Sequence, residues 1–188
     1  MIFNFKITAG DEISKRFRAL GVNDFLAASQ LVRNLPYRRN SDKDDPYCVL
    51  NSGGGTCSTK HALLKRLADE NGISDVRLML GIFMMDRQNT PKITAVLNKY
   101  KLNEMPEAHN YLRWKDHVLD FTSRNSSAHD FISHLENEIE IQPDQIMDFK
   151  IKYHQNFLRQ YLDKNPAVPY GLEEFWRIRE ECIAALQQ

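Results

Sequence analysis

The chain has little of what would tie a protein to a membrane, an oxidising compartment or a nucleic acid. Its three cysteines, Cys48, Cys57 and Cys182, are odd in number and far apart. That pattern argues against a disulfide framework and for a reducing, cytoplasmic setting. No apolar run approaches the roughly 20 residues of a membrane-spanning helix. Met1-Ile2-Phe3-Asn4-Phe5-Lys6 alternates apolar and polar residues where a signal peptide would set a charged stretch before a long apolar one. The 25 basic residues are balanced by 25 acidic ones, so no overall field recruits a nucleic acid or an anionic membrane. Gly53-Gly54-Gly55 lacks the Gly-Lys-Ser/Thr ending of a phosphate loop, and no dinucleotide fingerprint appears. The cysteines and histidines show no compact pairing of the kind a structural zinc site uses. Neither a cofactor nor a metal is expected.

What remains is an ordinary composition, 42% hydrophobic and 27% charged over 188 residues, long enough for one packed core. The sequence predicts a single α+β domain over residues 1–188. A weak strand is expected over 2–8 and a short helix over 12–20. Asn23 is expected to cap a second helix with Phe25, Leu26, Leu31 and Val32 as core residues. Tyr37 to Pro46 reads as a charged surface loop. Alternation of Val76, Leu78, Leu80 and Ile82 with Asp75, Arg77, Met79 and Gly81 predicts a strand to about Met85. A short helix over 93–102 and a hairpin of Ala108–Trp114 with His117–Phe121 follow. From Ser126 the pattern turns helical, with a short helix around Phe131–Leu135, a strand at 139–141, and long helices over 144–162 and 172–186. Phe149, Tyr153, Phe157 and Tyr161 repeat at helical spacing and are expected to form a packing face, with His154 structural or exposed.

The glycine run carries the chemistry. It breaks into a helix in which Thr56 is the expected N-cap, Leu63, Leu64, Leu67 and Ala68 form the apolar stripe, and Asn71-Gly72 is the stop. Cys57 then falls in the first turn, where unpaired amides and the helix dipole favour thiolate over thiol. The glycines would also let a substrate backbone approach closely. A buried structural cysteine beside a glycine turn is the competing reading.

A cysteine nucleophile needs a base, and the base needs an orienting acceptor. His109 opens one strand of the expected hairpin and Asp120 closes the other. With an even loop, such as Lys115-Asp116, the two share one face of adjacent strands, directly opposite or diagonal; an odd loop would separate them. Cys57, His109 and Asp120 thus form a candidate triad. The backbone N–H of Cys57 is the first oxyanion donor expected. The Asn51 side-chain amide is a second candidate, though an asparagine in Leu50-Asn51-Ser52-Gly53 is equally at home in a turn. His61, one helical turn after Cys57, is a rival to His109; it either supports or lines the site or is structural. His117 is expected to be exposed.

Four blocks, Gly-Thr-Cys-Ser-Thr-Lys-His-Ala-Leu-Leu at 55–64, Val-Arg-Leu-Met-Leu-Gly-Ile at 76–82, Glu-Ala-His-Asn-Tyr-Leu at 107–112 and Leu-Asp-Phe-Thr at 119–122, resemble the transglutaminase-like superfamily in content and order. The resemblance covers about residues 31–123, with 126–188 as a helical C-terminal extension. It implies a papain-like α+β core in which a nucleophile helix packs on an antiparallel sheet, with Cys57 as nucleophile, His109 as general base and acid, and Asp120 as orienting residue. Tyr111 stands where many members carry tryptophan, keeping the aromatic class near the substrate. The expected activity is cysteine-dependent acyl transfer, hydrolysis of amide bonds in preference to cross-linking. The expected substrate is a peptide, a protein or a small amide. The alternative is a catalytically idle domain that keeps the fold as a peptide- or protein-binding module.

Overall fold

The computed structural model describes residues 3–186. The helices are α1 (Glu12–Ala19), α2 (Phe25–Asn34), a short α3 (Cys48–Ser52), α4 (Cys57–Glu70), α5 (Thr94–Lys99), α6 (Asp148–Lys164) and α7 (Leu172–Leu186). The strands β1 (Val76–Asp86), β2 (Glu104–Trp114), β3 (His117–Leu119) and β4 (Leu135–Ile141) form one antiparallel sheet in the order β3-β2-β1-β4. The fold is therefore α+β. Among the described residues no helix is long and apolar enough to cross a membrane.

The chain divides into two compact units. The first comprises Met1–Leu80, Asn110–Ala128 and Ile139–Met147; the second comprises Gly81–His109, His129–Glu138 and Asp148–Gln188. Each draws on both the motif-bearing stretch and the helical stretch of the sequence.

In the first unit α1, α2 and α3 pack on α4. Nearly every residue from Cys57 to Ala68 is buried, so α4 is a central helix without a solvent face. Its stop is set by Asn71 and by Gly72 at φ +72°, a left-handed position, with Ile73 N–H donating to Ala68 O at 3.0 Å. The cap of α2 is Asp24, one residue later than the expected Asn23, because the Asp24 carboxylate accepts from Ala27 N–H at 3.0 Å. Phe25 and Val32 are buried as expected, while Leu26 and Leu31 sit half-exposed beside the smaller Ala28 and Ser29, which take the inner positions.

The strand expected over 2–8 is not formed. Among residues 3–8 the only ladder contact is a bridge between Lys6 and Asp24; Ile2 lies outside the described residues. Aromatic packing explains the extended segment without a partner strand: the Phe3 and Phe5 rings lie 5.1 and 5.0 Å from that of Phe25.

The hairpin forms with the even loop expected, but its first strand starts earlier, at Glu104, and its second ends at Leu119, so that Asp120 lies just beyond the strand it was expected to close. Trp114 pairs with His117, Arg113 with Val118 and Leu112 with Leu119, which leaves the even loop Lys115-Asp116. Lys115 takes the left-handed conformation there, at φ +52°. His117 is exposed and stacks on Trp114 at 5.8 Å.

In the second unit α7 packs on α5, α6 and the 3₁₀ turn at Pro91–Ile93. The inner face of α6 is Lys150, His154 and Leu158, one residue round from the aromatic stripe that the periodicity singled out. Phe149 is 41% exposed, and Tyr153, Phe157 and Tyr161 are half-buried. The stripe lies along the edge of the packed face, with the Tyr161 ring stacked on Phe175 at 5.9 Å. His154 takes a place on the inner face, where its ring bonds the Pro106 carbonyl at 2.9 Å.

Candidate active site

The chain enters α4 along a tightly held track. Gly55 N–H donates to Pro36 O at 3.1 Å and Arg38 N–H returns to Gly55 O at 3.2 Å, a parallel bridge that ties the glycine run to residues 36–38. A Cβ on Gly54 would lie 2.5 Å from Arg38 Nε, and one on Gly55 would lie 2.7 Å from Thr59 Oγ1 and 2.9 Å from Val49 Cγ2. The space beside these glycines is filled by the chain's own side chains. This corrects the expectation that the run stays bare for a substrate backbone.

Asn40 fastens the same track. It is buried, and its amide donates to Gly54 O and to Ser52 Oγ, both at 2.9 Å, while its Oδ1 accepts from Thr59 Oγ1 at 2.8 Å. Thr59 Oγ1 in turn accepts from Thr56 N–H at 3.1 Å, the returning half of a capping box. Thr56 is the N-cap as expected, and Cys57 is the first residue of the helix. The cysteine is 7% exposed, and its Sγ lies 3.9 Å from Ser58 Oγ.

Around Cys57 the first unit gathers charge. Lys60, in the same helical turn, is fully buried, and its Nζ donates to Leu35 O at 2.6 Å and to Thr122 O at 2.7 Å. Burial lowers its pKa to about 8, against the opposing pull of Asp120 and Cys57. Asp120, at the end of the hairpin, has a side chain only 3% exposed. Its Oδ1 accepts from Thr122 N–H at 3.0 Å and from Thr122 Oγ1 at 2.6 Å.

His61 is fixed by backbone on both nitrogens. Phe121 N–H donates to Nε2 at 2.8 Å, so Nε2 is the unprotonated nitrogen and Nδ1 carries the hydrogen, which it gives to Cys57 O at 2.8 Å. Asp120 Oδ1 is 3.5 Å from Nε2, but in this tautomer that contact is acceptor against acceptor and not an ion pair. The ring thereby joins the first turn of α4 to the backbone immediately after Asp120.

The other expected residues are placed as follows. The Asn51 side chain is exposed, its Oδ1 accepting from Arg16 Nη1 at 3.0 Å and its amide donating to Asp45 Oδ2 at 2.9 Å. These bonds hold the Asn51 side chain on the surface of α3. Tyr111 is fully buried and is a core residue, not a lining one. His109 lies two residues before Tyr111 on β2, so the two side chains share one side of that strand. His109 belongs to the second unit, where its ring packs edge-on against Phe131 at 4.7 Å and near Phe83 at 5.9 Å. Asn110, the next residue, belongs to the first unit, accepting from Ser58 Oγ at 2.9 Å and donating to Met79 O at 2.9 Å.

From the sequence Lys60 stands out only as the lysine that follows the glycines in a rejected phosphate-loop reading, and Asn40 and Asn110 carry no local signal, since lysine and asparagine are residue types found mostly at surfaces. The remaining cysteines are chemically quiet. Burial, with Asp45 nearby, pushes the Cys48 thiol up to about 11, and burial, with Glu107 nearby, pushes Cys182 up to about 12. Among the described residues no group of three or more His, Cys, Asp or Glu is arranged to hold a metal ion. The chain matches no family model, no curated protein and no solved structure.

Proposed function

We propose that this protein is a cysteine-dependent acyl-transfer enzyme of transglutaminase-like type on a papain-like core, acting as a hydrolase of amide bonds in a peptide, a protein or a small amide. One observation carries the reading: Cys57 is the first residue of a capped, buried helix, with the Lys60 ammonium in the same turn and the Asp120 carboxylate close to that ammonium. Helix-terminal amides and a nearby cation both favour thiolate. The thiolate adds to the substrate carbonyl, and the developing oxyanion takes the Cys57 N–H as donor. His109, the base indicated by chain order, takes the thiol proton and gives it to the departing amine, leaving a thioester on Cys57. Water, deprotonated by the same imidazole, then attacks the thioester and releases the acid and the thiol. Asp120 orients the base. Its own orientation is fixed by Thr122.

The test is to trap the acyl-enzyme. Incubation with activated amides and esters, followed by peptide mass spectrometry, is expected to place the acyl group on Cys57. Cys57→Ala should abolish the adduct and His109→Ala should slow its formation and release at least a hundredfold. A panel that leaves every cysteine unmodified while the protein still binds peptides would favour a non-catalytic binding module.

A further inference from the structure

Lys60 is a buried cation that takes no part in the proton transfers of the triad scheme, and what holds it in place has a consequence for Asp120 as well as for Cys57. A lysine with no exposed surface requires explanation, since removing an ammonium from water costs several kcal/mol unless it is compensated. Its hydrogen bonds go to two main-chain carbonyls, Leu35 O at 2.6 Å and Thr122 O at 2.7 Å, not to a carboxylate. Thr122 donates both its N–H and its hydroxyl to Asp120. The ammonium therefore grips the residue that holds the carboxylate. It leaves its own helix in the same turn as Cys57. The ionisable groups that act on it are Asp120, from the hairpin end, and Cys57, from its own helix. The adjacent His61 is neutral in the tautomer fixed by Phe121.

Resting on the assignment of Cys57 as nucleophile, we propose that Lys60 is a positioning residue with a second, electrostatic role: it clamps the Thr122–Asp120 turn onto α4 and supplies the positive charge that keeps Cys57 ionised at neutral pH. A methionine of similar shape could fill the space of the aliphatic stem, but it could neither donate to the carbonyls nor carry the charge. The lowered pKa of Lys60, about 8, agrees with a cation that is still charged at pH 7 in spite of its burial.

The coupling must be reciprocal, since two sites that interact shift each other's proton affinity equally. Two measurements follow. In the first, the ¹³Cε resonance of Lys60 is titrated in the wild-type protein and in Cys57→Ser. Loss of the thiolate is expected to lower the Lys60 midpoint by about half a unit to one unit. In the second, the pH profile of iodoacetamide labelling at Cys57 is compared in wild type, Lys60→Met and Lys60→Arg. The inflection should rise by about one unit in Lys60→Met and return toward wild type in Lys60→Arg. A Lys60 midpoint unchanged by Cys57→Ser overturns the proposal even if Lys60→Met does not fold, and so does an unshifted labelling profile in a folded Lys60→Met. Neither readout requires turnover. Coupling without any acyl-enzyme would defeat the acyl-transfer reading alone, and an acyl-enzyme without coupling would defeat this one alone.

Discussion

Both units bury charge, and Lys60 in the first and Arg179 in the second are held in opposite ways. In the second unit Arg179 closes on Glu107 through two hydrogen bonds, Nε to Oε2 at 2.6 Å and Nη2 to Oε1, and adds a third to Glu180 at 2.5 Å. Burial alone would raise the Glu107 pKa, but the guanidinium beside it holds it below the ordinary carboxylate value. His154, on the inner face of α6, is 1% exposed and bonds Pro106 O at 2.9 Å; burial pushes its pKa down to about 4, leaving it neutral. Charge there is matched directly and locked. In the first unit the ammonium is given to carbonyls and the carboxylate takes its bonds from a threonine. The Lys60 ammonium and the Asp120 carboxylate act on each other electrostatically in that setting. Perturbed charged groups are frequent at reactive sites, whereas closed buried pairs more often serve structure.

The largest predicted effect breaks the closed pair. Arg179→Met would strand Glu107 with its carboxylate buried and should destabilise the protein by about 3–5 kcal/mol in a urea melt. Adding Glu107→Gln should recover a substantial part, because the uncompensated charge is then gone. If Arg179→Met costs no more than a surface change, the two clusters do not differ as described.

The next effect comes from His154. Its folded-state pKa is lowered, from 6.5 to about 4, so the unfolded chain binds more protons between those values. Stability is therefore intact above about 6.5 and is lost as pH falls toward 4. Stopping at pH 5, above the range in which Glu107 titrates, the loss should be about 2 kcal/mol. His154→Gln should flatten the stability profile over that window.

Two neighbouring glycines sharpen the account of the first unit. Gly55→Ala would drive a methyl group into Val49 and the Thr59 hydroxyl of the capping box, and should destabilise by about 1–3 kcal/mol. Gly54→Ala is met first by the Arg38 side chain, which can give further than the Val49 methyl or the capping-box hydroxyl, and should cost less than Gly55→Ala. Equal effects would mean that the track is looser than its hydrogen bonds indicate. The smallest expected change is a gain: Lys115→Gly, at φ +52° in the hairpin loop, should stabilise by up to about 1 kcal/mol in thermal melts.

The parts of this fold that sequence made visible were those with a local cause. Thr56, Asn71-Gly72 and the apolar stripe between them define α4 because capping and helical spacing act within a few residues. The two-residue hairpin loop could be anticipated from the strands flanking Lys115-Asp116. What sequence hid depends on partners far along the chain. Nothing near Lys60 announces that its ammonium will meet carbonyls at positions 35 and 122. The same holds for Asn40, which lies in a charged loop yet is buried against the glycines. The α6 face was misjudged by one residue because aromatic rings advertise a core more loudly than a histidine does, and only the Pro106 carbonyl makes His154 the inner residue.

The central claim is that Cys57, and neither of the other cysteines, is built to ionise. Iodoacetamide labelling at pH 7, read site by site by mass spectrometry on the folded protein, tests it most directly. Cys48 and Cys182, with thiols held up at about 11 and about 12, should label very slowly. Cys57 should label at least tenfold faster than either, and His109→Ala should remove much of that advantage. Equal labelling of the three thiols, or a Cys57 rate indifferent to His109, would contradict the account.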